Sequence, residues 1–179
     1  MAPIQAVLVS SRDEDVVTSL TNTLRDQWPV RTATTPKETR TSLDDSVAVV
    51  IFDPRLASLS LADLATMIDE QSPHTQILRL GRNDEAVAGL ADAVIARGAE
   101  PDTVRSSVDR LQRRARYDKL LSRFYSLARA QSERATGDET GDLTQELEAL
   151  KYELDEIAAG LDDEDLFDVA VGGNGETRR

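Results

Sequence analysis

Val47–Phe52 forms an unbroken run of six apolar residues, and this run limits the folds open to the chain more than any other segment. A strand with one face in water alternates apolar and polar residues, whereas a strand buried on both faces is apolar throughout. Sheets covered on both faces are mainly parallel sheets whose strands are connected by helices. The run therefore predicts a central parallel strand, with Asp53 at its carboxyl end.

Further short apolar segments alternate with helical patterns over the first hundred residues. The predicted strands are 4–9, 30–33, 47–52, 76–80 and 93–96, and the predicted helices between them are 13–28, 36–43, 60–71 and 84–91. Right-handed crossovers then place helices on both sides of the sheet. We therefore predict an α/β fold with a five-stranded, doubly wound parallel sheet. Pro101 is suited to open a long last helix.

The helical pattern that starts at Pro101 continues past the expected edge of this domain, through Leu111 to Ala128. A polar turn at 136–141 separates it from a second helix. The second helix carries an apolar seam with alternating spacings of four and three, formed by Leu143, Leu147, Leu150, Leu154, Ile157 and Leu161. This spacing is typical of coiled-coil packing, and the short turn favours an antiparallel helical hairpin.

Charge is distributed unevenly between these two helices. Residues 104–134 hold nine Lys or Arg against three acids, whereas residues 138–168 hold thirteen acids and one Lys. In a hairpin these charges largely offset each other. The basic helix alone would also suit contact with DNA, but the net charge of −12 argues against general nucleic-acid affinity.

Composition excludes several other classes of protein. The absence of cysteine excludes disulfides, thiolate catalysis and cysteine-bound metals. No apolar segment is long enough to span a bilayer and no signal sequence is evident, so we expect a cytoplasmic protein without a membrane partner. The chain has 33 acidic and 21 basic residues, and this excess of acidic residues also suits a protein that stays soluble in high salt.

The first part of the chain resembles the receiver domain of two-component response regulators. The resemblance rests on the strand at residues 7–9, on Asp53, and on residues 92–97 before the last helix. It implies a receiver or flavodoxin-like fold over residues 3–112. Residues 113–166, through segments 113–118 and 124–128 and the leucine seam, resemble the HalX domain that follows receivers in halophilic archaea. Residues 167–179 are glycine-rich and predicted to be a disordered tail.

The receiver resemblance assigns roles to individual positions. Asp53 matches the phosphoacceptor, whereas Ser11 and Arg12 stand where receivers have the acidic pair that helps to bind Mg²⁺. Gly81 replaces a Ser or Thr, and Arg97 replaces a Lys. Because a hard divalent cation needs anionic oxygen ligands, the resemblance implies that the magnesium site is lost. We expect no catalytic residue and no cofactor, with Mg²⁺ needed only if Asp53 is phosphorylated.

Two interpretations of Asp53 remain open, namely a phosphoacceptor and a structural carboxylate. For the second, we hypothesise that a salt bridge from Arg12 to Asp53 takes the place of the metal and lowers the Asp53 pKa, with Arg97 also flanking the carboxylate.

The preferred functional hypothesis is a non-enzymatic, degenerate receiver (a pseudo-receiver) that binds a partner protein through its hairpin, with a homodimer as one form of association. One alternative is a phosphorelay response regulator phosphorylated on Asp53 by a sensor histidine kinase. The other is a transcriptional regulator that contacts DNA through the basic helix.

Overall fold

The computed structural model describes residues 5–82, 89–133, 140–161 and 166. The strands are β1 (Ala6–Ser10), β2 (Val30–Ala33), β3 (Val47–Phe52), β4 (Gln76–Leu80) and β5 (Ala93–Ile95). The helices are α1 (Glu14–Leu24), α2 (Pro36–Ser42), α3 (Leu61–Gln71), α4 (Pro101–Glu133) and α5 (Thr140–Ala158). The helix predicted over 84–91 lies largely outside the described residues, and its described end at Gly89 and Leu90 is a turn.

The five strands form one parallel sheet in the order β2-β1-β3-β4-β5. From β1 the chain passes first to β2 on one side and then to β3, β4 and β5 on the other side. The connecting helices therefore lie on both faces of the sheet. This confirms the predicted five-stranded, doubly wound α/β fold. The carboxyl ends of β1 and β3 are neighbours, because Ser10 pairs with Phe52, and ligands of open α/β sheets bind at such a switch point.

The apolar runs of β1 and β3 are buried along their whole length, as predicted for strands covered on both faces. One cluster includes Leu8, Val50, Phe52, Leu64 and Ile68, and the opposite cluster includes Val7, Val9, Ile51, Leu78 and Leu111. Each side chain of this size contributes about 1.5–3 kcal/mol when it is fully buried. The single tryptophan, Trp28, is partly buried against the second cluster.

Helix α1 is shorter than the predicted span 13–28. It begins after Asp13, whose side chain accepts hydrogen bonds from the amides of Asp15 and Val16, and it ends at Leu24. A tight turn follows, in which the Trp28 amide donates to the Leu24 carbonyl at 3.0 Å. Because a proline disfavours helical geometry in the residue before it, Pro29 prevents the helix from continuing to Trp28.

Helices α2 and α3 begin where their capping residues predict. Thr35 accepts from the Glu38 amide and Pro36 occupies the first turn. Ser60 and Asp63 form a reciprocal capping box at the start of α3. Caps of this kind contribute about 1 kcal/mol each. The local sequence therefore determines where both helices start.

The chain divides into two compact units between Ala115 and Arg116. In the first unit, α4 packs on the sheet through Val104, Val108, Leu111 and Ala115, which are all buried. The predicted domain boundaries at 112 and 166 remain predictions, and the tail 167–179 lies outside the described residues.

The second unit contains the rest of α4 and the antiparallel helix α5. The antiparallel direction of α5 follows from its contacts with α4: Arg116 pairs with Glu153, Arg123 pairs with Glu146, and Gln131 donates to Thr144 at 2.8 Å. Later residues of α4 thus meet earlier residues of α5, as in the predicted hairpin. None of the described helices is both long and apolar enough to span a bilayer.

Candidate functional site at the carboxyl edge of the sheet

Asp53 follows the central strand directly and lies at the carboxyl edge of the sheet. Its amide donates to the Ser10 carbonyl at 3.0 Å, and its own carbonyl accepts from the Leu56 amide at 3.0 Å. The whole residue is buried, with 0% of its surface exposed. A buried carboxylate requires charged or hydrogen-bonding partners, because desolvation otherwise makes the ionised form costly.

Both oxygens of the Asp53 carboxylate have such partners. The Ser11 hydroxyl donates to Oδ2 at 2.6 Å, and the Arg55 amide donates to Oδ1 at 3.1 Å. Oδ1 also forms an ion pair with the guanidinium of Arg97, which comes from the loop after β5. The carboxylate is therefore contacted by residues of three loops, which follow β1, β3 and β5.

Asp13 belongs to the same constellation, and sequence reasoning missed its role. Arg97 pairs with Asp13 Oδ2 through Nη1 at 3.1 Å and with Asp53 through Nη2, so one guanidinium bridges the two acids. The Asp13 amide donates to Ser11 Oγ at 3.1 Å. A continuous chain of polar contacts thus runs from the cap of α1 to the end of β3.

The hypothesis of a salt bridge between Arg12 and Asp53 is wrong. The Arg12 side chain is exposed, and the ion pair to Asp53 is made by Arg97. The difference has a geometric cause: Ser11 is buried and takes the inward position beside Asp53, whereas the next residue along the extended chain faces solvent. Of the two arginines expected to flank Asp53, only Arg97 contacts it within the described part of the chain.

Gly81 lies at the end of β4 in a backbone conformation that requires glycine. Its φ is +134°, and an added Cβ would come within 3.2 Å of Arg79 Nη1. Its amide donates to the Ile95 carbonyl at 2.8 Å, which fixes this geometry. A Ser or Thr side chain at this position would be strained. The backbone at Gly81 therefore disfavours a hydroxyl-bearing side chain at this position.

The pKa of Asp53 reflects opposing effects. Burial raises this pKa, but the Ser11 hydroxyl, the Arg55 amide and the Arg97 guanidinium together lower it, and the net result is below the ordinary value for aspartate. Hydrogen bonds and positive charge favour the ionised form of a carboxyl group. Asp53 is therefore an anion at neutral pH.

This lowered pKa predicts a loss of stability in acid. Because the folded-state pKa lies below the unfolded value of about 3.9, ionised Asp53 stabilises the fold above about pH 4, and this contribution is lost as the pH falls through the folded-state pKa. We expect the difference in free energy of unfolding between wild type and Asp53→Asn to shrink below about pH 4. Urea denaturation of both proteins at a series of pH values measures this difference. A difference that stays constant in acid would contradict a lowered pKa for Asp53.

The hairpin seam is the second candidate site. Leu150, Leu154 and Ile157 are buried, whereas Leu143, Leu147 and Leu161 are partly buried. Several arginines of α4 pair with acids, namely Arg105 with Asp102, Arg113 with Asp109, Arg114 with Asp92, Arg116 with Glu153, Arg123 with Glu146 and Arg129 with Glu133. Much of the basic charge of α4 is thus balanced within the chain.

Comparison with solved structures identifies the fold of this sheet as that of response-regulator receiver domains. Response regulator DrrB of Thermotoga maritima, an OmpR/PhoB homologue, is 23% identical with a TM-score of 0.53, over 60% of this chain and 52% of DrrB. A CheY-like receiver domain protein of Methanospirillum hungatei is 15% identical with a TM-score of 0.57, over 64% of this chain and 98% of that chain.

A receiver domain protein of Clostridium thermocellum is 21% identical with a TM-score of 0.56, over 63% of this chain and 98% of that chain. This chain thus spans about half the length of DrrB but nearly all of the isolated receiver domains. No family model matches the sequence, and the search of curated proteins gives no match. At these identities the similarity establishes the fold and not the activity.

Proposed function

We propose that this protein is a degenerate receiver that acts in signal transduction by binding a partner protein, without phosphoryl transfer through Asp53. The proposal assigns the carboxyl edge of the sheet a structural role and the helical hairpin the binding role. The observation that carries it is the Asp53 carboxylate, which is buried and held on both oxygens by Ser11, Arg55 and Arg97.

The residues around Asp53 do not fit a divalent cation. Mg²⁺ requires several oxygen ligands with negative charge and keeps water in its shell. Here the Ser11 hydroxyl donates a hydrogen bond to Asp53, and the guanidinium of Arg97 lies between the carboxylates of Asp13 and Asp53. No group of three or more His, Cys, Asp or Glu side chains suited to a metal occurs among the described residues. The positive charge that balances Asp53 is supplied by the protein itself.

The backbone at Gly81 supports the same proposal. The resemblance to receivers places at this position a hydroxyl that follows the phosphoryl group, and the φ of +134° disfavours any residue that carries one. Restoring the hydroxyl would therefore require a change in the loop after β4. Three positions of the receiver constellation, Ser11, Gly81 and Arg97, thus favour an inert carboxylate.

The hairpin is the part of the chain that we propose as the binding module, in keeping with its resemblance to HalX. Its basic helix is a weaker candidate for DNA binding, because Arg116 and Arg123 pair with acids of α5. Phosphate contacts would have to compete with these ion pairs. We therefore propose a protein partner in the same signalling pathway rather than DNA as the ligand of the hairpin, and we propose that the protein acts in the cytoplasm.

Phosphoryl transfer is the direct test. Incubation with acetyl phosphate and Mg²⁺, followed by intact mass measurement, should leave the wild-type mass unchanged. Asp53→Ala is the matched control for modification at any other residue. A gain of one phosphoryl group by wild type but not by Asp53→Ala would contradict the proposal and favour the alternative, a phosphorelay regulator that accepts a phosphoryl group on Asp53.

A further inference from the structure

A cavity of about 510 Å³ opens beside the Asp53 site, between α1, the loop after β5 and the start of α4. Its floor is apolar and consists of four buried side chains, namely Leu20, Leu80, Ile95 and Val104. Cavities that hold small ligands commonly measure about 300–1,000 Å³ and combine an apolar lining with a few polar groups. This cavity also lies at the carboxyl ends of β4 and β5, on the edge of the sheet where open α/β folds bind ligands.

Five charged side chains line this cavity, and two of them form an ion pair with each other, Asp13 and Arg97. The other three are exposed, and their side chains form no ion pair or hydrogen bond with any described residue: Asp15, Arg55 and Glu100. An unpaired cation and two unpaired carboxylates therefore line one cavity without reaching each other. An apolar floor lies between the elements that carry them.

We propose that this cavity binds a small zwitterion with an aliphatic body, either an apolar amino acid or an apolar dipeptide. The guanidinium of Arg55 holds the ligand carboxylate, since this pairing is charge-assisted and often bidentate. Asp15 and Glu100 hold the ligand ammonium, and the aliphatic side chains of the ligand cover the apolar floor.

The charges of the cavity favour a zwitterion over a ligand with one charge. A simple anion would pair with Arg55 but would also face the carboxylates of Asp15 and Glu100, and a simple cation would face Arg55. Like charges brought together in this way oppose binding, whereas a ligand that carries both charges matches both sets of groups.

This inference goes beyond the proposed function and does not depend on it, because a ligand can occupy the cavity whether or not Asp53 accepts a phosphoryl group. The two sites share one residue. Arg97 pairs with Asp53 and also lines the cavity. A ligand in the cavity therefore contacts the loop that supplies the counter-charge of Asp53.

An NMR titration of the full chain with leucyl-leucine tests this proposal and locates the ligand. The backbone amide signals of Ser19 and Gly98, which line the cavity, should shift and reach saturation, whereas that of Thr66 in α3 should not move. We expect a dissociation constant on the order of 0.1–1 mM, because exposed charges are screened by water and salt. A parallel titration with leucine decides between the amino acid and the dipeptide.

Blocked ligands test whether both ligand charges are needed. Leucyl-leucine amide lacks the carboxylate and N-acetyl-leucyl-leucine lacks the ammonium, and each should bind at least about fivefold more weakly than leucyl-leucine. Arg55→Ala should weaken leucyl-leucine by a similar factor and remove its advantage over the amide. Arg12→Ala is the matched control, because it removes the same charge from an exposed residue that does not line the cavity. It should bind leucyl-leucine like wild type.

The carboxylates are tested in the same way. The double variant Asp15→Asn, Glu100→Gln should lose the preference for leucyl-leucine over its N-acetyl form. Glu14→Gln is the control, because it removes a carboxylate from the same turn of α1 without changing the cavity. All the substituted residues are exposed, so circular dichroism should give the same helix content for every variant.

Three results would overturn the zwitterion site. The first is the absence of shifts at Ser19 and Gly98 with either leucine or leucyl-leucine up to about 10 mM. The second is equal affinity of wild type for leucyl-leucine and both blocked forms. The third is an equal effect of Arg12→Ala and Arg55→Ala. None of these results bears on the mass measurement on Asp53, so failure of this site and failure of the degenerate receiver are distinguishable.

Discussion

Replacing Arg97 with alanine is expected to lower the free energy of unfolding by about 2–3 kcal/mol. The variant would leave the carboxylate of Asp53 buried without its only described ion pair. The hydrogen bonds from Ser11 and Arg55 would remain. Breaking a fully buried pair costs about 3–5 kcal/mol, and the partial exposure of Arg97 makes the lower figure appropriate. Urea denaturation at neutral pH measures the change.

Arg12→Ala is the control for this prediction. Arg12 is the other arginine expected to flank Asp53, but its side chain is exposed, so the variant should stay within about 0.5 kcal/mol of wild type. In an Asp53→Asn background, Arg97→Ala should cost less, because the charge that it neutralises is gone. An equal cost in both backgrounds would show that Arg97 stabilises the fold by some other contact.

Leu111→Ala is expected to cost about 3 kcal/mol or more, the largest effect of a single truncation on α4. Leu111 is 0% exposed and lies in the cluster that includes Val7, Ile51 and Leu78. Removing its isobutyl group loses the free energy of burial and leaves a cavity that the strands cannot easily close. Chemical denaturation monitored by circular dichroism gives the difference in free energy directly.

Ser106→Ala serves as the matched variant on the same helix. Ser106 is exposed and its hydroxyl donates to the Thr103 carbonyl at 3.2 Å, so its replacement should change the free energy of unfolding by no more than about 0.5 kcal/mol. Similar denaturation midpoints for the two variants would mean that the first half of α4 is not part of the sheet's core.

The sheet was predictable because its strands obey local rules. The continuous apolar run of Val47–Phe52 allows only a strand covered on both faces, and Thr35 with Pro36 specifies the start of α2 by capping alone. The end of α1 differs from the prediction, since the helical spacing of apolar residues extends to Trp28 whereas Pro29 ends the helix earlier. Periodicity predicts which face is buried better than it predicts where a helix ends.

The candidate site was only partly predictable, because its contacts join distant segments. The position of Asp53 follows from the strand that precedes it. The choice of Arg97 over Arg12 depends instead on how β5 lies beside β4, and on Ser11 taking the inward position. Asp13 could have been found by one signal: an aspartate that caps a helix beside the sheet edge also has an oxygen free for a cation.

The position of Trp28 has a practical consequence for measuring the stability of each unit. This sole tryptophan packs against the core of the first unit, so its fluorescence emission reports the unfolding of the sheet, whereas ellipticity reports helices in both units. If the two optical signals give coincident transitions, the units unfold cooperatively; if they separate, each has its own midpoint. The native chain therefore carries a built-in spectroscopic label, and no dye needs to be attached.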